Sequence, residues 1–218
     1  MLYLAPLSFL YTLQNIGAFL NRGGPLLYVL GLCMIITLTI ILERLFALQR
    51  KKIISDEIVD SVERLESDKD LERLVTLCQN DDTALGRILK ISLQHLSWPK
   101  SENLEAVTTR ARAEVNRMER GLVILEIAVG LGPLIGLLGT VFGLMLIFEG
   151  LGKTSGEQQT LYVAAGISHA LLNTVAGLAV AIPAQIGYSY YSRKIESAAV
   201  EMENICADLL SRVYRNQG

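Results

Sequence analysis

Histidine, cysteine and aromatic side chains are scarce in this sequence of 218 residues. The two histidines, His95 and His169, cannot build a histidine metal cluster. The three cysteines, at 33, 78 and 206, are too few and too scattered for a disulfide framework or a zinc site. An excess of either charge is also missing: 20 basic side chains face 22 acidic ones, which excludes a nucleic-acid footprint over the whole chain. There is no phosphate-binding loop, no nucleophile elbow and no metal-ligand spacing, so no catalytic residue, cofactor or metal is expected. Basic residues are absent from the first 21 positions and no small-x-small cleavage site follows the first apolar run, which argues against a cleaved signal peptide. What is abundant is apolar: 51% of the side chains are hydrophobic and the mean hydropathy is +0.38. That excess points away from disorder and towards a membrane.

The placement of charge is the main signal. Pro25–Leu42 is 18 residues without a charge, Ile127–Phe148 is 22, and Gln158–Ser192 is 35, with His169 inside it. A helix needs about 20 apolar residues to cross a hydrocarbon core of about 30 Å. The pattern therefore predicts three transmembrane helices, the third tilted or extended beyond the bilayer. Lysine and arginine set the orientation. The stretch from Arg44 to Arg120 holds 14 of them and the tail four more, against Arg22 and Lys153 alone on the other side. The long loop and the C-terminus are expected in the cytoplasm.

The loop carries 14 acidic residues as well, a balanced, soluble composition. Ile58, Val62 and Leu65, then Leu71, Leu74, Val75 and Cys78, then Leu85, Ile88, Leu89, Ser92 and Leu96 recur at helical spacing. Trp98-Pro99 ends that series, and Ser101 is the expected N-cap of a continuous helix from about 102 to 148. In the tail, Ile195, Ala198, Ala199, Met202, Ile205, Leu209, Leu210 and Val213 share one face. Such faces pack within the chain or against another subunit. The expected organisation is an interfacial segment at 1–24, transmembrane helix 1 at 25–44, a cytoplasmic helical domain at 45–126, transmembrane helix 2 at 127–148, a short outer turn at 149–159, transmembrane helix 3 at 160–192 and a cytoplasmic C-terminal helix at 193–218.

Within the second span, Gly132, Gly136, Gly139 and Gly143 give spacings that let helix backbones approach closely. Thr140 shares a face with Pro133, Gly136 and Gly143. The third span repeats the pattern with Ala170, Thr174, Gly177 and Ala181. Helix packing explains the glycines; a polar track through Thr140 and Thr174 fits equally, although a threonine can also bond back to its own helix. Pro183 is expected to kink the third helix. Glu126 reads as an interfacial carboxylate, and His169 as either an ionisable modulator or an interhelical hydrogen-bond partner. No charge-free run offers an Asp or Glu, so a proton carrier would have to come from another chain.

Two motifs, Gly132-Pro-Leu-Ile-Gly-Leu-Leu-Gly-Thr-Val-Phe-Gly143 and Gly166-Ile-Ser-His-Ala-Leu-Leu-Asn-Thr-Val-Ala-Gly-Leu-Ala-Val-Ala-Ile-Pro-Ala184, resemble those of the ExbB/TolQ/MotA family of proton-channel motor subunits, most of all its ExbB branch. Gly23-Gly24-Pro25, Leu42-Glu43-Arg44 and Arg117-Met-Glu-Arg120 fit the same likeness. The resemblance implies an all-α membrane protein assembled as a homo-oligomeric, usually pentameric, ring in a bacterial inner membrane, with its N-terminus periplasmic. It implies a partner like ExbD or TolR that supplies a proton-carrying aspartate, with Thr140 and Thr174 lining the ring interior. Work would pass to a TonB-like protein, or to the envelope in a TolQ-like or gliding-motility motor. A non-conducting scaffold ring is the competing expectation. Many relatives have glutamate where this chain has His169, which sets the position apart.

Overall fold

The computed structural model describes residues 24–151 and 156–216. The expected interfacial segment lies outside them except for Gly24, as do the middle of the outer turn and the last two residues. Among the described residues there are eight helices and no strand: α1 (Pro25–Ala47), α2 (Arg50–Ile53), α3 (Asp56–Glu63), α4 (Asp68–Asn80), α5 (Ala84–Gln94), α6 (Lys100–Glu119), α7 (Leu122–Leu151) and α8 (Glu157–Asn216). Three helical stretches are long and apolar enough to cross a membrane, namely Pro25–Ala47, Leu122–Leu151 and Gln158–Arg215. The chain forms two compact units. One contains the described residues up to Ile41 together with Ile124–Gly187; the other contains Leu42–Val123 and the chain from Tyr188 onwards.

In the first unit, Gly24 turns the chain with φ of 69°, a conformation costly for any residue with a Cβ. Pro25 then opens α1, where its missing N–H is one that no helix could have bonded. Large apolar side chains such as Ile35, Leu134, Phe148, Leu161 and Ile186 point outwards, as a lipid-facing surface requires.

The second unit buries one apolar face from each of its helices. Ile58 and Val62 of α3, Leu74 and Cys78 of α4, Leu85, Ile88 and Leu89 of α5, and Val107 of α6 are almost fully buried. Ile195, Met202, Cys206, Leu209, Leu210 and Val213 of α8 belong to the same core. Each such side chain contributes about 1.5–3 kcal/mol on burial. Burial also holds the Cys78 and Cys206 thiols up at about 12, so both stay protonated and inert. The start of α5 is capped by Thr83, whose hydroxyl accepts from the Gly86 N–H at 3.1 Å. The end of α5 is held by buried Asn103, whose amide donates to the carbonyls of Ser92 at 3.0 Å and His95 at 3.2 Å. Tyr214 donates to the Trp98 carbonyl at 2.8 Å, tying the tail to the same loop.

Two expectations are corrected here. Ser101 is not an N-cap: α6 begins at Lys100, with Pro99 at the cap. The Pro99 carbonyl already accepts from the N–H groups of Glu102 and Asn103, so the helix starts earlier than the hydroxyl residue suggested. The helix from 102 to 148 is not continuous either; it breaks at Arg120-Gly121, between α6 and α7. Arg44 explains the break. Its Nη1 donates to the Met118 carbonyl at 2.9 Å, the acceptor that Leu122 would use in an unbroken helix. The guanidinium lies against Gly121, so a Cβ there would push the Arg44 side chain aside.

Glu114 of α6 is the buried charge of this unit, with 4% of its side chain exposed. Arg87 grips it with both forks, Nη2 at 2.6 Å and Nε at 3.0 Å, and Arg110 adds a contact at 2.7 Å. The hydrogen bonds from Arg87 hold the Glu114 carboxyl below its usual range, against the opposing effect of burial. Its contribution to stability is therefore full above the ordinary carboxylate pKa of 4.5 and disappears as the pH falls through the lowered value. Glu114→Gln should cost about 1–3 kcal/mol near neutral pH, below the loss for a fully buried pair because both arginines can rehydrate. Thermal unfolding of wild type and variant from pH 7 to pH 3 checks this: the gap between them should close on acidification, and a gap independent of pH would refute the assignment.

Candidate functional site in the apolar unit

Helices α7 and α8 meet along a seam of glycine. A Cβ on Gly132 would lie 3.0 Å from the Gly177 carbonyl oxygen, and one on Gly143 would lie 3.0 Å from the Ala170 Cβ. A Cβ on Gly136 would lie 2.9 Å from the Asn173 carbonyl oxygen and 3.3 Å from the Gly177 Cα. On the α8 side, a Cβ on Gly177 would lie 2.5 Å from the Gly132 carbonyl oxygen. Backbone thus rests on backbone, a geometry that dispersion alone stabilises in lipid. Gly139 differs from the others, because its missing Cβ accommodates a side chain. There the Asn173 Cβ, Cγ and Nδ2 would lie 2.5, 2.7 and 2.9 Å from it.

Thr140 and Thr174 flank this seam and both are half-buried. The Thr140 hydroxyl donates to the Leu137 carbonyl of its own helix at 2.6 Å, leaving its lone pairs to accept. Thr174 meets the seam through its backbone, its Cα being 3.2 Å from a Cβ placed on Gly136. Pro183 stands inside α8, half-buried, where it has no N–H for the helix ladder. Glu126 is exposed near the start of α7.

Beside the seam lies a cavity of about 610 Å³. Gly24, Leu26, Phe142, Leu146, Tyr162, His169 and Asn173 are part of its wall; neither threonine is. The Tyr162 hydroxyl donates to the Leu146 carbonyl at 3.3 Å. His169 is exposed at the wall, whereas Asn173 is 4% exposed. Its Oδ1 is sealed from solvent and meets no donor. Sequence reasoning followed the hydroxyls and the histidine and passed over Asn173. The available signal was its position four residues after His169, on the same helical face. Thr37 of α1 was missed as well; it is buried, with an Oγ1 that meets no partner. Among the described residues no cluster of His, Cys, Asp and Glu could hold a metal.

A helical chain with three membrane-length apolar helices, two of them joined through glycine beside two threonines, has the build of a multi-span membrane protein. It belongs to the MotA/TolQ/ExbB proton channel family, whose model matches residues 80–204. The chain is 35% identical to an ExbB-like biopolymer transport protein of Synechocystis sp., over 82% of this chain and 70% of that one. It is 27% identical to an ExbB-type biopolymer transport protein of Vibrio cholerae, over 83% of this chain and 81% of the other. The biopolymer transport protein ExbB of Salmonella typhimurium is 38% identical over a shorter stretch, 46% of this chain and 41% of its own.

Because the seam is backbone against backbone, it has no flexible neighbour to yield. Gly136→Ala should lower stability by about 1–3 kcal/mol through overpacking. Gly130→Ala, where nothing lies within 4 Å of the new Cβ, should be neutral or stabilising. Unfolding temperatures of the two variants in mild detergent test the contrast, and equal temperatures would count against a close-packed seam.

Proposed function

We propose that this chain is an ExbB-like subunit of a proton-driven motor in a bacterial inner membrane. Copies of it form a ring, a pentamer, around the transmembrane helices of an ExbD- or TolR-like single-span partner. That partner supplies the proton-carrying aspartate, and the resulting work passes to a TonB-like protein for transport across the outer membrane. The N-terminus is periplasmic, and the lysine- and arginine-rich loop and the tail are cytoplasmic.

One observation carries this reading: a member of a proton channel family has no Asp, Glu, Lys or Arg over residues 25–42, 127–148 and 158–192, its stretches of membrane-spanning length. Proton passage through a bilayer needs an ionisable carrier, and His169 is the one such imidazole here. A carboxylate from a second chain completes the path. Thr140 and Thr174 are assigned to the ring interior, where the lone pairs left on the Thr140 hydroxyl accept from a protonated carboxylic acid. His169 acts as a modulator, and Pro183 bends the third span. The names of the relatives favour the ExbB branch over a TolQ-like or gliding-motility role.

Thr140→Val and Thr174→Val keep the side-chain volume and remove the hydroxyl. Each should leave the native mass of the complex with its partner unchanged and lower proton flux into liposomes at least tenfold. Wild-type flux in both variants would overturn the threonine assignment, and no flux from the wild-type complex would favour a ring that only positions its partner.

A further inference from the structure

Tyr162, His169 and Asn173 are spaced by seven and four residues along α8, which places all three on one helical face. All three line the cavity beside the glycine seam. Its wall also includes Gly24 and Leu26, where α1 begins, and Leu146, near the end of α7. Tyr162 is near the start of α8, so these groups mark one end of the helices and form the mouth. Asn173 is eleven residues further along α8, roughly 16 Å at 1.5 Å per residue. That depth is about half of a hydrocarbon core of about 30 Å. A polar stripe thus runs from the mouth to mid-membrane among described wall residues that are otherwise apolar.

The inner end of the stripe is costly if dry. An amide oxygen without a donor loses about 1–3 kcal/mol, and a bilayer interior supplies no alternative partner. An alanine or leucine at 173 would pack without that loss, yet Gly139 gives up its side chain to make room for the amide. Asn173 lines the cavity, and a half-turn about χ2 exchanges its amide oxygen and nitrogen. Among the described residues the titratable groups on the wall are Tyr162 and His169, and the described wall residues from α1 and α7 add none. A water molecule needs roughly two to four polar partners, and the Asn173 amide and the His169 imidazole, one helical turn apart on the wall, offer two.

We propose that this cavity is a hydrated vestibule whose ligand is water, and that Asn173 holds its innermost water. Thr174 follows Asn173 in the chain, and Thr140 follows Gly139, which packs on the Asn173 side chain. The vestibule therefore ends one residue from each threonine assigned to the ring interior. Its use as the entry path for protons rests on the motor reading above; its hydration does not.

The experiment uses the complex in native membranes, with Cys33 replaced by alanine. Cys78 and Cys206 are buried and do not label. A small charged methanethiosulfonate reagent should modify Ala165→Cys, on the cavity wall, at least tenfold faster than Leu171→Cys, which points outwards. Equal, slow modification at the two positions means a cavity filled by lipid tails and overturns the vestibule. The second arm is proton flux. Asn173→Leu should lower it at least tenfold with native mass kept and unfolding temperature unchanged or raised, while Asn173→Ser retains flux. Full flux in the leucine variant overturns the entry path. If the leucine variant does not assemble, the labelling contrast, made with Asn173 in place, still decides hydration. Absence of proton flux from the wild-type complex would sink the motor reading alone, because fast labelling at position 165 stands without it.

Discussion

The approach of α7 to α8 is the constraint from which the rest of the apolar unit follows. Lipid tails are as apolar as leucine, so burying leucine against leucine gains little in a bilayer. Dispersion between atoms at contact distance remains, and it grows with the number of atoms that touch. Removing Cβ atoms at 132, 136, 143 and 177 brings two backbones together along several turns. The same removal at 139 opens a notch that admits the Asn173 side chain. One device therefore joins the helices and also seats the single amide of the third charge-free run that is almost fully buried.

The other unit is held by different physics. Its helices are short, amphipathic and balanced in charge, and water drives their apolar faces together. Two of the polar groups that enter that core are met by more than one partner each. Asn103 serves two carbonyls at the end of α5, and Glu114 is held by two arginines. Each unit is suited to one solvent only, and each would lose its driving force in the other's.

The sequence made the broad architecture legible because charge is the strongest single marker of a bilayer. The faces through Ile58 and Val62, through Ile88 and Leu89, and through Met202 and Leu209 were visible because burial imposes helical periodicity. The helix break at Arg120-Gly121 was hidden, since its cause is a guanidinium 74 residues away from Met118. Propensity within a window cannot report such a partner. Asn103 and Glu114 were passed over for the same reason: a polar side chain reads as exposed until the groups that satisfy it are known. Within the spans, glycine spacing announced itself, whereas Asn173 stood in a long apolar run with nothing local to say that its amide was buried.

The core of the water-facing unit is drawn from two separate stretches, Leu42–Val123 and the chain after Gly187. During synthesis the first stretch leaves the ribosome long before the second. Leu74, Leu85, Ile88 and Leu89 then wait for Ile195, Met202, Leu209 and Leu210, which arrive only after both later apolar helices have been made. Local helices can form in the interval, but the joint core cannot close. Completion of this unit's fold thus comes last in the order of assembly, and a chain stalled before Ile195 exposes an apolar surface that quality-control proteases recognise.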